Sequence, residues 1–185
     1  MKKYEIQIEG VTDMLINKFS HELNKEKTSV AKDKLVEWEE KNWKKKAYIN
    51  DDVEPFMPDV YITGSLRNGA YSSGLQLSKK KGKKTISKAF IDGNSLIDNT
   101  KPLIKISSEI IPFSTNVKIN KATITTIRPL FSAGWKCNFQ IVDLNESFTL
   151  EEIERLFNYC GKYIGVGDWR PKYGRFKINK IKEVN

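Results

Sequence analysis

Along the first ten residues apolar and polar side chains alternate, with Tyr4, Ile6 and Ile8 set between Glu5, Gln7 and Glu9. A period of two predicts a strand with one buried face, ending at Gly10. The next stretch, VTDMLINKFSHEL, is apolar without a clear period and is expected to run on as strand or loop beside the sheet. From Thr28 to Tyr48 the chain is rich in Lys, Glu and Ala and lacks Gly and Pro, which predicts a helix. Its apolar stripe, Val30, Leu35, Trp38 and Trp43, is thin, so this helix is expected on the surface as an appendage.

Pro55 and Pro58 punctuate the chain before a short strand or turn and a helix expected over about Ser65 to Ser73. Five lysines follow in six positions, Lys79, Lys80, Lys81, Lys83 and Lys84, broken by Gly82. Such a run cannot bury itself and predicts a flexible exposed loop, either a solvated tip or a basic arm for a phosphate backbone. From Pro102 to Asp143 the pattern is β-rich. Its last run alternates Trp135, Cys137, Phe139 and Ile141 with Lys136, Asn138 and Gln140, and Ser132-Ala133-Gly134 reads as the turn of a hairpin. The segment TLEEIERLFNYCG carries a capping box, Thr149 with Glu152, and apolar residues at Leu150, Ile153, Leu156, Phe157 and Cys160. This predicts an amphipathic helix ended by Gly161, after which a glycine-rich loop leads to a final strand, GRFKINKIKEV.

With the 28–48 helix and the basic loop set aside, the order is strand, helix, strand, strand, helix, strand. This is the βαββαβ plan of an α+β, ferredoxin-like or RRM-like antiparallel sheet with one face left open for binding. A chain of 185 residues without a long linker is read as one domain, 1–185, with insertions at about 25–50 and 78–120.

Composition narrows the chemistry. With 32 Lys and Arg against 23 Asp and Glu the net charge is +9, which favours a polyanionic partner; a generally Lys-rich proteome is the bland alternative. A single histidine, His21, and two cysteines, Cys137 and Cys160, without metal-ligand spacing argue against a metal centre or a Ser-His-Asp hydrolase. Free buried thiols are expected, and no metal or cofactor. No apolar run approaches the roughly 20 residues of a membrane span, and no secretory h-region follows Lys2 and Lys3, so a cytoplasmic protein with no membrane partner is expected.

Two segments carry a resemblance. PDVYITGSLRNGA resembles the segment that opens the first helix of RAMP-superfamily proteins, the ferredoxin-like subunits that line guide RNA in CRISPR effector complexes. GKYIGVGDWRPKYGRF resembles their glycine-rich loop between the last helix and the last strand. The stretch IEGVTDMLIN is similar to their first strand and its following loop, and the whole pattern is similar to a group of phage proteins ending in GIGDWRP…GRF. Together these stretches cover about a third of the chain. Asn68 and Gly69 depart from the usual helix continuation, and the Asp168-Trp169-Arg170-Pro171 core departs from the small and basic residues more usual in the loop.

The resemblance implies a non-catalytic protein that binds single-stranded RNA or DNA, as one of several copies or effector-complex subunits side by side. Physically, a helix starting near Gly64 and Ser65 would aim N–H groups at a phosphate, with Arg67 adding charge. Gly165 and Gly167 would bring backbone amides to a phosphate, Arg170 and Arg175 would supply charge, and Trp169 or Tyr173 a stacking face. Equally, Trp169 can cap the core with Arg170 paired to Asp168 or another carboxylate. An endoribonuclease reading rests on His21, Tyr4 or lysines as acid and base, or on Asp13 for metal-dependent cleavage. A protein-interaction module acting on a host complex is the third reading.

Overall fold

A computed structural model describes residues 1–50, 54–76, 95–97, 103–119, 122–144, 146 and 148–184. The basic run Lys79–Lys84 therefore lies outside the described residues.

The central sheet is built from β1 (Lys2–Gly10), β5 (Leu103–Ser107), β8 (Lys136–Asp143) and β9 (Phe176–Val184), in the order β5-β8-β1-β9 with every neighbour antiparallel. Two short strands extend it: β3 (Phe56–Pro58) pairs with β5, and β4 (Ser95–Ile97) pairs with β8. Two helices, α3 (Asp59–Ser72) and α4 (Leu150–Tyr159), cover one face, and the chain order β1, α3, β5, β8, α4, β9 is the ferredoxin-like plan. As the alternation predicts, Tyr4, Ile6 and Ile8 on β1 and Cys137, Phe139 and Ile141 on β8 point into the core. Both cysteines are free and buried, and burial pushes each thiol up to about 12.

Two elements are added to this plan. Between β5 and β8 runs a long hairpin of β6 (Ile110–Ile119) and β7 (Ala122–Phe131), and β7 also pairs with β2 (Met14–Leu15) to form a separate three-stranded sheet. Ser132-Ala133-Gly134 consequently connects two sheets and is not the turn of a β7–β8 hairpin. Its bonds go instead to the end of β1: the Gly134 N–H donates to Gly10 O over 2.9 Å, and Gly10 N–H to Trp135 O over 2.7 Å.

The expected 28–48 helix is two helices, α1 (His21–Ser29) and α2 (Leu35–Asn42), flanked by short 3₁₀ turns at Lys32–Lys34 and Trp43–Lys46. The break falls where Thr28 and Ser29 turn their hydroxyls back onto Lys25 O and Glu26 O, ahead of an extended Val30. Along the edge of β7, beyond β2, α2 lays the buried Glu39 carboxylate, which accepts the Ile127 N–H at 2.8 Å. Lys46 donates to Ile127 O at 3.0 Å and pairs with Glu39, and Lys27 adds a 2.5 Å bond to the same carboxylate. Side chains thus satisfy a strand edge that would otherwise be bare.

Helix α3 starts at Asp59, six residues before the expected start at Ser65. Pro58 has the fixed φ suited to entering a helix, and Asp59 complements the positive end of the helix dipole. At α4 the capping box forms as predicted, with Thr149 Oγ1 accepting from Glu152 N–H and Glu152 Oε2 accepting from Thr149 N–H. Gly161 does not end this helix: a single wide π turn, Cys160–Ile164, carries it on to Gly165. A Cβ on Gly161 would run into Phe176 O, so this glycine permits β9 to pass close by.

Candidate nucleic-acid interface

The glycine loop, residues 165–175, is held by backbone bonds to β2 and the segment before it, and by one bond within itself. Asp168 N–H donates to Leu15 O at 2.8 Å, Gly174 N–H to Asp13 O at 2.7 Å, and Val166 N–H to Gly174 O at 2.9 Å. Gly174 is left-handed, φ 75°, and a Cβ there would strike Val166 O; a Cβ on Gly167 would strike Leu15 O. The close approach that these glycines permit is to the protein's own backbone. Gly165 N–H likewise is taken by Cys160 O at 2.8 Å, so this amide does not face a phosphate as expected.

Trp169 is the exception in this loop. It is a bulky residue in the left-handed region, φ 54°, and it stays 37% exposed. The Arg128 guanidinium lies 4.5 Å from the ring centroid, and Arg128 Nη1 donates to Asp168 Oδ2 at 2.8 Å. Asp168 is therefore paired with Arg128 on β7 rather than with Arg170. Burial pushes the Asp168 carboxyl above its usual range, against the pull of Arg128 and then Arg170. Phe113, directly opposite Arg128 on β6, meets Trp169 edge-on at 6.4 Å and Tyr173 at 5.7 Å. The loop and the root of the hairpin thus share one cluster of three rings and a guanidinium.

Beside Trp169 opens a shallow depression of about 480 Å³, lined from the loop side by Gly167, Arg170 and Pro171, from the π turn by Tyr163 and Ile164, and from α3 by Asn68. Arg170 on this lining is exposed, as are Lys172 and Arg175 elsewhere in the loop. On α3 the predicted pair separates. Arg67 is exposed, whereas Ser65 is buried, its carbonyl accepting from Cys160 Sγ at 3.4 Å. Both sit in the body of the helix, so the helix N-terminus offers them no phosphate site.

The candidate catalytic groups are scattered in role. Tyr4 is fully buried and donates to Phe148 O at 2.9 Å, and burial raises its hydroxyl far above the usual range. Asp13 caps the Ser132–Gly134 turn by accepting the Ala133 N–H at 2.8 Å. His21 is exposed at the first position of α1, its ring edge-on to Phe19. Among the described residues no three His, Cys, Asp or Glu side chains come together as a metal site.

The open face of the sheet is a polar lattice. Gln7 Nε2 donates to Asn138 Oδ1 at 2.8 Å while Gln7 Oε1 accepts from Asn179 Nδ2 at 2.5 Å, Lys182 pairs with Glu5 at 2.6 Å, and Lys177 reaches Glu9 at 3.4 Å. No aromatic ring stands on this face of β1 and β8 among the described residues. Asn68, Phe113, Arg128 and Tyr163 were missed by sequence reasoning. Only Arg128 left a signal, as a lone charge in the run ATITTIRPLF.

Sequence comparison finds no matching protein-family model and no matching curated protein. Structure comparison matches a chain from a cryo-EM structure of the Type III-B Cmr-beta bound to cognate target RNA, with TM-score 0.57 and 16% identity. The match covers 100% of this chain and 61% of that one, so the chain spans about three fifths of that chain's length. A chain of the Csm3-Csm4 subcomplex in the type III-A CRISPR-Cas interference complex superposes at TM-score 0.44, 12% identical, over 98% of this chain and 77% of that one. The likeness to the Type III-B chain is one of fold.

Proposed function

We propose that this chain binds single-stranded nucleic acid, RNA before DNA, without cleaving it, as one of several copies or subunits set side by side in a CRISPR-related or phage-encoded assembly. The observation that carries the reading is the loop: Arg170, Lys172 and Arg175 are exposed on the same loop that displays Trp169, which offers charge for phosphates and a flat face for a base. The net charge of +9 acts in the same direction, and the shared fold belongs to a chain whose structure holds target RNA. The polar lattice of the open sheet face favours the loop side over that face as the binding surface. A binder without catalysis is consistent with Tyr4 and Asp13 both being engaged in holding the fold.

The test is binding of labelled single-stranded RNA and DNA oligonucleotides between about 50 mM and about 200 mM salt. Binding that weakens steeply with salt, leaves the RNA intact with and without magnesium, and favours RNA supports the proposal. Absence of a shift at the lower salt, or cleavage, overturns it.

A further inference from the structure

We infer that the depression beside the glycine loop receives one unpaired nucleobase, stacked on Trp169 and met along its edge by Asn68. This rests on the nucleic-acid reading above and deepens it: the flat face becomes a site for a single base, with Asn68 meeting its edge.

Two tryptophans show the contrast. Trp135 is what a structural tryptophan looks like here: fully buried, its indole N–H donating to Thr12 O at 2.9 Å. Trp169 is held in a backbone conformation that costs a bulky residue free energy, and the residue lines an open depression instead of filling the core. Strain of this kind persists only where the surroundings impose it, and here they do. Asp168 fixes Arg128, whose guanidinium lies 4.5 Å from the ring centroid while other residues line the depression, so the proposed base takes the face of the indole that the cation leaves. A ring already fixed in place loses little freedom when a base stacks on it.

Asn68 supplies what stacking lacks. It is exposed on α3 and lines the same depression, and its amide offers a donor pair and an acceptor that suit the hydrogen-bonding edge of a base. Gly167 and Pro171 leave the space beside the ring unfilled, and Arg170 at the rim is placed for the adjoining phosphate. Arg128 acts through Trp169 and is a positioning residue.

The experiment compares the full chain with W169A, W169F and N68A on short single-stranded homopolymers of ribo-A, ribo-C and ribo-U and on an abasic ribose-phosphate strand of equal length. The wild type is expected to bind ribo-A about 5- to 150-fold more tightly than the abasic strand. W169A should bring ribo-A down to the abasic affinity while leaving abasic binding and the salt slope unchanged, W169F should recover most of the loss, and N68A should reorder the three homopolymers. Equal binding of bases and abasic strand by the wild type overturns the base site and leaves the phosphate reading standing. So does an equal loss of both ligands in W169A. Failure of the wild type to bind any strand overturns both. Should W169A not fold, as a thermal melt would show, the wild-type comparison and W169F decide.

Discussion

Arg128 on β7 and Asp168 in the glycine loop are joined by a 2.8 Å bond from Nη1 to Oδ2, with side chains only 18% and 25% exposed. The pair fastens the root of the β6–β7 hairpin to the loop that carries the exposed arginines. Arg128→Met keeps the length of the stem but strands the Asp168 charge, a loss of about 2–3 kcal/mol for a charged hydrogen bond of this burial. Denaturant melts should show that loss, and hydrogen exchange should show the Val166 and Asp168 amides losing protection before the core strands do. A variant as stable as the wild type, with the loop still protected, would mean that the backbone bonds to Leu15 and Gly174 suffice alone.

Two glycines on α3 separate space from propensity. A Cβ on Gly64 meets nothing within 4 Å, so Gly64→Ala should stabilise the chain by about 0.5–1 kcal/mol through helix propensity. A Cβ on Gly69 would collide with Cys160 Sγ, where α3 crosses the end of α4, so Gly69→Ala should instead destabilise by about 1–3 kcal/mol. Thermal melts of the two variants should move in opposite directions. A gain at both positions would show that Cys160 yields without cost.

The strands of the ferredoxin-like core were legible because β1 and β8 alternate cleanly, and α4 because its capping box and apolar spacing agree. What escaped was tertiary. Glu39 reads as one more solvated charge in a Lys/Glu run, yet it is fully buried against Ile127. Thr28 and Ser29 look tolerable within a helix until their hydroxyls turn back on it. The loop was found by its glycines, but those glycines fit the protein to itself, and the depression depends on Asn68, almost a hundred residues away in sequence. Local pattern does not encode that meeting.

Charge on the two candidate surfaces can be separated by salt dependence. Arg170 and Arg175 are exposed on the loop, whereas Lys177 and Lys182 on the open sheet face are already engaged with Glu9 and Glu5. Removing two phosphate contacts from a single-strand binder lowers the slope of log affinity against log salt by about 1.4. Arg170→Ala with Arg175→Ala should do this and weaken binding at low salt, with the melt unchanged, while Lys177→Ala with Lys182→Ala should leave the slope nearly as it was. The reverse ranking would move the nucleic acid to the open sheet.

The Glu39 site predicts both a stability loss and a pH dependence. Burial alone would raise the Glu39 carboxyl, but the Ile127 N–H, Lys27 and Lys46 together outweigh it and hold the group below its ordinary 4.5. Lys46 is itself held below the usual lysine range, by burial above all, with Glu39 acting in the opposite direction. A carboxylate that releases its proton more readily when folded stabilises the fold fully above its unfolded value and less as the pH falls through the folded one. Stability should therefore drop below about pH 4.5 in the wild type, and Glu39→Gln should flatten that drop. Near neutral pH, Glu39→Ala should cost about 3–5 kcal/mol, because it leaves Lys46 buried without its partner. Replacing Glu39 and Lys46 together by Met recovers much of such a loss where a buried pair bonds only to itself. Here both members also satisfy Ile127, so the double variant leaves a strand-edge N–H and C=O without their partners and should remain destabilised by about 2 kcal/mol or more. Urea melts of the single and double variants across pH measure each quantity. A double variant as stable as the wild type would show that the edge of β7 needs no cap.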